Sequence, residues 1–218
     1  MTMSVAMIIG TFAGVCVVNT ETVKAKDYGI SNPRIGADGS VTWDKVKFGS
    51  YKQSTEFGEP EPIKWRILSV DKDNNALLLA DKGLDCKPYN KTCGNVTWET
   101  STLRTWLNEE FYNEAFTESE QSEIKQVTVK NNYNPQYGTK GGNDTSDKVY
   151  LLSIEEASNS AYGFDSTFDT ESATRECKVT DYARMNGAFR GGSAGYAGYV
   201  GNGYWWLRSP GDEKSSAS

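Results

Sequence analysis

Near its C-terminal end the chain reads Tyr204-Trp205-Trp206-Leu207-Arg208-Ser209-Pro210-Gly211, and seven polar or small residues follow. Consecutive large apolar side chains without alternation read as a strand buried on both faces. A buried Trp or Tyr removes roughly 150–250 Å² from water, so such a strand demands further chain packed around it. Residues 212–218 cannot supply that layer. The stretch therefore predicts either a strand at the edge of its sheet or a fragment whose remaining strands lie outside the sequence. The fragment is the preferred reading.

The rest of the chain supplies strands first, helices next, and strands again. Ile63-Lys64-Trp65-Arg66-Ile67-Leu68-Ser69-Val70 alternates, residues 71–75 form a polar turn, and Ala76-Leu77-Leu78-Leu79-Ala80-Asp81 returns as a β-hairpin. Residues 41–51 predict an earlier strand. A helix is predicted over residues 102–115, with Ser101 as N-cap and Leu103, Trp106, Leu107 and Phe111 as its apolar stripe. Thr117-Glu118-Ser119-Glu120 is a capping box that opens a second helix, and Ser153-Ile154-Glu155-Glu156 opens a shorter one. Val127-Thr128-Val129 and Lys148-Val149-Tyr150-Leu151-Leu152 read as strands, and residues 181–186 as one or two helical turns. Residues 187–203 are glycine-rich, with Phe189, Tyr196 and Tyr199 between the glycines, and predict a long loop. This order gives an α+β fold, with a mixed or antiparallel sheet, two main helices and long loops.

The N-terminal run Val5-Ala6-Met7-Ile8-Ile9-Gly10-Thr11-Phe12-Ala13-Gly14-Val15-Cys16-Val17-Val18 carries no charge. It falls short of the ~20 residues a membrane-spanning helix needs, but it suits the apolar core of an export signal. Val23-Lys24-Ala25 places aliphatic and small residues where a signal peptidase would cut after Ala25. No cationic segment precedes the run, which the reading explains by a true start upstream of Met1. The competing reading is a buried N-terminal helix or strand, disfavoured because the run has no amphipathic period. The chain thus divides into a signal peptide over 1–25, a linker over 26–39, and one α+β domain over 40–218, incomplete at its C-terminus. Location is secreted or cell-surface, with membrane contact only through export or surface attachment.

Export implies an oxidising compartment, where Cys86 and Cys93 flank a turn-like loop and are expected to form a disulfide. Closing so short a loop contributes roughly 2.5 kcal/mol on the chain-entropy estimate. Cys177 then has no partner and reads either as a buried thiol or as the sign of a missing piece of chain.

The sequence contains no histidine, which removes Ser-His-Asp and Cys-His catalysis and every His-ligated zinc or haem site. A net charge of −6 offers no footprint for nucleic acid. No catalytic residue is assigned: Glu155 with Glu156, and Asp165 with Asp169, are pairs any acidic chain offers by chance. Candidate ligand contacts are Trp98 and Arg104 near the main helix start, Tyr196 and Tyr199 in the glycine-rich loop, and Arg208. The structural alternative makes the first two a core helix and its ion pair, and Arg208 half of a buried salt bridge. Asn143, Asp144 and Asp147 are hard oxygen ligands at close spacing and form a candidate calcium site, although no EF-hand loop surrounds them. The rival is an Asx turn. No other cofactor is implied.

Several segments taken together carry a resemblance. They are Phe48-Gly49-x-Tyr51, Ile63-Lys64-Trp65-Arg66-Ile67-Leu68, Gly83-Leu84-Asp85-Cys86-x-Pro88-Tyr89-Asn90, Trp98-Glu99-x-Ser101-x-Leu103-Arg104-x-Trp106-Leu107-Asn108, Gly142-Asn143-Asp144-Thr145-x-Asp147-Lys148-Val149-Tyr150-Leu151-Leu152-Ser153 and Trp205-Trp206-Leu207-Arg208-Ser209-Pro210-Gly211. From about residue 46 onward the chain resembles the family catalogued as domain of unknown function 6273, found in exported and surface proteins of Gram-positive, often gut-dwelling, bacteria. The resemblance implies further strands after Trp-Trp-Leu-Arg-Ser, and a C-type-lectin-like architecture that includes the formylglycine-generating branch. It transfers no activity. The expectation is an exported, non-catalytic recognition module for a glycan or an extracellular protein. The alternatives are an extracellular enzyme (a carboxylate-based glycan hydrolase or a formylglycine-generating relative) and a structural spacer.

Overall fold

The computed structural model describes residues 9–12, 14–19, 30–55, 57–168, 172–189 and 200–212. The first strands are β1 (Ile9–Phe12), β2 (Val15–Asn19), β3 (Arg34–Ile35), β4 (Val41–Thr42), β5 (Lys45–Tyr51), β6 (Glu61–Val70) and β7 (Asn75–Ala80). They are followed by β8 (Lys82–Gly83), β9 (Asp85–Pro88), β10 (Val127–Val129), β11 (Thr145–Asp147) and β12 (Lys178–Val179).

The hairpin predicted from alternation is present as β6 and β7, paired from Trp65 opposite Ala80 to Val70 opposite Ala76. Its turn is closed by Asp71, whose carboxylate accepts from the backbone N–H groups of Asp73 and Asn75 and from the Asn75 amide. On β6, Ile63, Trp65 and Ile67 point into the core, whereas residues 76–80 of β7 are buried on both faces. β7 is therefore an interior strand.

The main sheet has the order β2-β7-β6-β5, antiparallel throughout. The stretch expected as one strand over 41–51 is divided. Val41–Thr42 pairs with Arg34–Ile35 inside the expected linker, and Lys45–Tyr51 joins β6 with an irregularity between Lys47 and Ser50. Gly49 sits in that irregularity at φ 65°, and a Cβ there would lie 2.6 Å from the Phe116 ring. Its N–H donates to Glu120, the capping-box residue of the helix Glu118–Glu123.

The described residues of the apolar N-terminal run, 9–12 and 14–18, pair into this body. β1 pairs with β9, and β2 forms a five-residue ladder with β7. On its other side, β2 exchanges two hydrogen bonds between Val15 and Tyr150, at 2.8 and 3.0 Å, and accepts one from Lys125 N–H. Val15, Cys16 and Val18 have essentially no exposed surface.

The predicted main helix spans residues 102–115, with its middle turn, Leu107–Phe111, widened to i→i+5 hydrogen bonds. The buried stripe explains this. Leu103, Leu107, Phe111 and Ala115 recur every four residues, and at 3.6 residues per turn each step overshoots the buried face by about 40°. The widened turn brings the stripe back. Trp106, expected in that stripe, is only half-buried. The caps at Ser101, Thr117 and Ser153 all form as predicted. The strand expected over 148–152 is displaced: residues 145–147 pair with β10, while residues 149–152 are buried without a ladder of their own. Residues 204–211 likewise form no extended ladder. Tyr204 is 73% exposed, while Trp206 and Leu207 are buried, so the expected two-sided burial is corrected. The indole N–H groups of Trp205 and Trp206 donate to the Arg175 and Lys87 carbonyls, which ties one ring to the helical turn Ala173–Arg175 and the other to β9.

The fold is α+β. The expected disulfide is not formed. Cys86 is buried within β9, and Cys93 is exposed in the following loop, where Asn90 donates to Thr92 to hold the turn. Both are free thiols.

Candidate functional site

The residues predicted around the main helix start do come together, but as a buried clasp. Asp147 is 1% exposed and accepts from the Trp98 indole at 2.9 Å, Arg104 Nε at 2.6 Å and the Thr145 hydroxyl at 2.7 Å. Trp98 is fully buried and presents no face to a ligand, so the expected aromatic surface is corrected there. Arg104 also donates to the Glu99 carbonyl. One helical turn on, Asn108 donates to the carbonyls of Arg104 and Val149 and accepts from the N–H groups of Lys148 and Val149. The bond to Arg104 falls where the widened turn begins, and the others hold residues 148–149 against the helix.

The candidate calcium ligands each have a partner of their own. Asn143 donates to the Glu99 carboxylate, Asp144 pairs with Lys130, and both Asp147 oxygens are occupied in the clasp. Hydrogen bonds from Asn143 hold the Glu99 carboxyl below its usual range, and those from Lys130 and the Asn131 backbone do the same for Asp144. Among the described residues, no group of three or more Cys, Asp or Glu side chains is placed to hold a metal ion.

Arg208 is 4% exposed and enters a second network. Its guanidinium forms a two-pronged pair with Glu156 and donates to the backbone carbonyls of Leu151 and Lys130. The arginine thus fastens the segment after Trp206 to the capped turn at Ser153. That is the structural alternative to a ligand clamp. Among the carboxylates considered for hydrolysis, Glu156 is held in this pair. Glu155 accepts from Asn132 at 2.6 Å, and Asp165 accepts from Thr167. Asp169 lies outside the described residues.

A third network was not visible in the sequence. Asp85, fully buried, accepts from the Tyr51 hydroxyl, the Asn186 amide and the Cys86 N–H, and pairs with Lys87. Burial, with the Asp85 charge adding to it, pushes the Tyr51 hydroxyl well above its ordinary range. Through Asn186 this network anchors the end of the helix Asp181–Met185, where the glycine-rich stretch begins.

That stretch is flanked by an exposed aromatic pair. Phe189 and Tyr204 stack with ring centroids 5.1 Å apart and planes 20° from parallel. Phe189 is 53% and Tyr204 73% exposed, with Met185 and Val200 also largely in solvent. An open depression lined by Asp181, Arg184, Met185 and Ala188 adjoins them in sequence. Tyr196 and Tyr199 lie outside the described residues.

The motifs that build these networks are those that carried the resemblance, and a family model described as a domain of unknown function (DUF6273) matches residues 73–218. The chain belongs to the DUF6273 family. No curated protein and no solved structure matches it. Within the DUF6273 match lie all four side chains of the clasp, the Arg208–Glu156 pair, Asp85, and the aromatic stack, whereas β1 to β6 precede it. The quoted DUF6273 motif residues in this chain are therefore mostly internal fasteners. The exposed stack uses Tyr204, at the margin of one motif, and Phe189, outside all of them.

Proposed function

We propose that this DUF6273 domain is an exported, non-catalytic recognition module of a bacterial secreted or surface protein. In this reading it has C-type-lectin-like architecture and takes a glycan, or an extracellular protein, at the face around Phe189 and Tyr204. The observation that carries the reading is the stacked, largely exposed Phe189–Tyr204 pair, whose two residues flank the glycine- and tyrosine-rich stretch in the sequence. Exposed contiguous apolar surface is unfavourable unless something covers it, and it marks interaction sites. Rigid aromatic rings offer contact area at low entropic cost, and Gly- and Tyr-rich loops adapt around a ligand. Tyr196 and Tyr199 belong to that loop and join the contact in this reading.

Hydrolysis by a carboxylate pair is less well supported, because Glu155 and Glu156 are both engaged by Asn132 and Arg208. The test is a glycan array and an extracellular-protein pull-down with the full chain, beside Phe189→Ala and Tyr204→Ala. Binding that both substitutions weaken at least tenfold is the expected result. Binding untouched by either, or no binding to any probe, overturns the assignment.

A further inference from the structure

Asp85 holds an amine and an amide on one carboxylate. Lys87 Nζ lies 3.1 Å from Asp85 Oδ2, and Asn186 Nδ2 donates to Asp85 Oδ1 at 2.6 Å. The carboxylate side chain has no exposed surface, and the Cys86 N–H and the Tyr51 hydroxyl fix it on β9. Trp106 confines the amine, its ring centroid 5.0 Å from Nζ. Asn186 stands at the surface, at the end of the helix Asp181–Met185. Asp147 is similarly enclosed but binds an indole, a guanidinium and a hydroxyl, which offer no such pair of reactants.

An amine, a carboxamide and a shared proton carrier are the parts of an amide-exchange reaction. Held together by a fold, such groups react at effective concentrations that free side chains never reach. We propose that Lys87 and Asn186 form an isopeptide cross-link, with Asp85 carrying the proton between them. Lys87 gives a proton to Asp85, and the neutral Nζ attacks Asn186 Cγ. Asp85 passes that proton to Nδ2 as the Cγ–Nδ2 bond breaks. Ammonia leaves, takes the second proton that Nζ gives up, and departs as ammonium. Asp85 ends ionised, as it began, and no oxidant, metal or further reactant is consumed.

The surface position of Asn186 gives the leaving group its exit. The rival nucleophile for the same amide is the backbone N–H of Gly187, which is engaged with the Arg184 carbonyl at 3.1 Å. The new bond staples β9 to the end of the helix from which Phe189 follows. A link between positions so far apart in sequence closes a long loop and constrains the unfolded chain.

The test is the intact mass of the reduced full chain, with peptide mapping, fresh and after several days folded near neutral pH. The expected result is that most molecules are lighter by one ammonia and yield a branched peptide joining residues 87 and 186. Lys87→Arg keeps a cation beside Asp85 and should show its full mass, as should the unsubstituted chain kept in denaturant. Folded protein at full mass with no branched peptide overturns the proposal. A deficit that persists in Lys87→Arg, or aspartate found at position 186, assigns the amide to ring closure by Gly187 and overturns it as well.

Discussion

The side chains that matter most for this fold are charged groups without solvent. Arg208 has almost no exposed surface, and its charge is balanced by Glu156. Removing one member of a buried pair strands the other, which costs about 3–5 kcal/mol. Glu156→Ala is therefore expected to lower stability by that amount in urea denaturation, and an unchanged midpoint contradicts the pairing. The thiols give a second expectation. Burial raises the Cys177 thiol to about 11, does the same for Cys86 with help from Asp85, and pushes Cys16 higher still. Only Cys93 is exposed. A thiol reagent should titrate one cysteine in the native full chain and four in denaturant. Two thiols missing from the denatured count would restore the Cys86–Cys93 disulfide. At this scale the caps were legible, because Ser101, Thr117 and Ser153 act on residues three positions away. Asp147 and Asp85 were not recognisable as hubs, since Trp98, Arg104, Tyr51 and Asn186 reach them from 34 to 101 residues away.

Among the elements, the β6–β7 hairpin and the long helix were readable because period and turn chemistry are local. The segment 148–152 was misplaced because a short apolar run buried beneath a sheet has the same pattern as one buried within it. The widened helical turn has a legible cause in the four-residue spacing of Leu103, Leu107, Phe111 and Ala115. Asn108 is tied to it, and Asn108→Ala leaves the Lys148 and Val149 backbone short of partners. A loss on the order of 2 kcal/mol is expected by thermal or urea unfolding, with Asn108→Asp intermediate because it keeps the acceptor. Gly49 joins β5 to the helix Glu118–Glu123 in a backbone conformation that side chains disfavour, and Phe116 fills the space beside it. Gly49→Ala should cost at least about 2 kcal/mol. A neutral result would mean that Phe116 and the strand move apart without penalty.

For the molecule as a whole, several carboxylates share one sign of response to acid. Asp44 is held low by its bonds to Arg34. At Asp81 burial pushes upward, but the hydrogen bonds from Lys45 and Arg66 outweigh it. A depressed folded-state pKa gives stability that is present above the unfolded value and lost as pH falls through the folded one. The urea midpoint should therefore hold above about pH 5 and decline below about pH 4. Asp81→Asn should lower the plateau and flatten the decline, and a parallel decline would place the titration elsewhere. Calcium provides the companion measurement. With Asp147 and Asp144 already paired, millimolar calcium and chelator should give the same melting temperature, and a rise with calcium would revive the candidate site. The aromatic face escaped the sequence reading for a reason of scale: Phe189 and Tyr204 stack across 15 residues of sequence, a distance no local pattern reports.

The enclosed position of Val15 carries a consequence for how such a chain is made. Its neighbours Leu79 and Tyr150 emerge from the ribosome long after it does, so the contacts that would hide it form late and close slowly. In the export reading proposed above, translocation and folding compete for the same five residues, and a mutation that speeds the assembly of β7 would favour the fold over secretion.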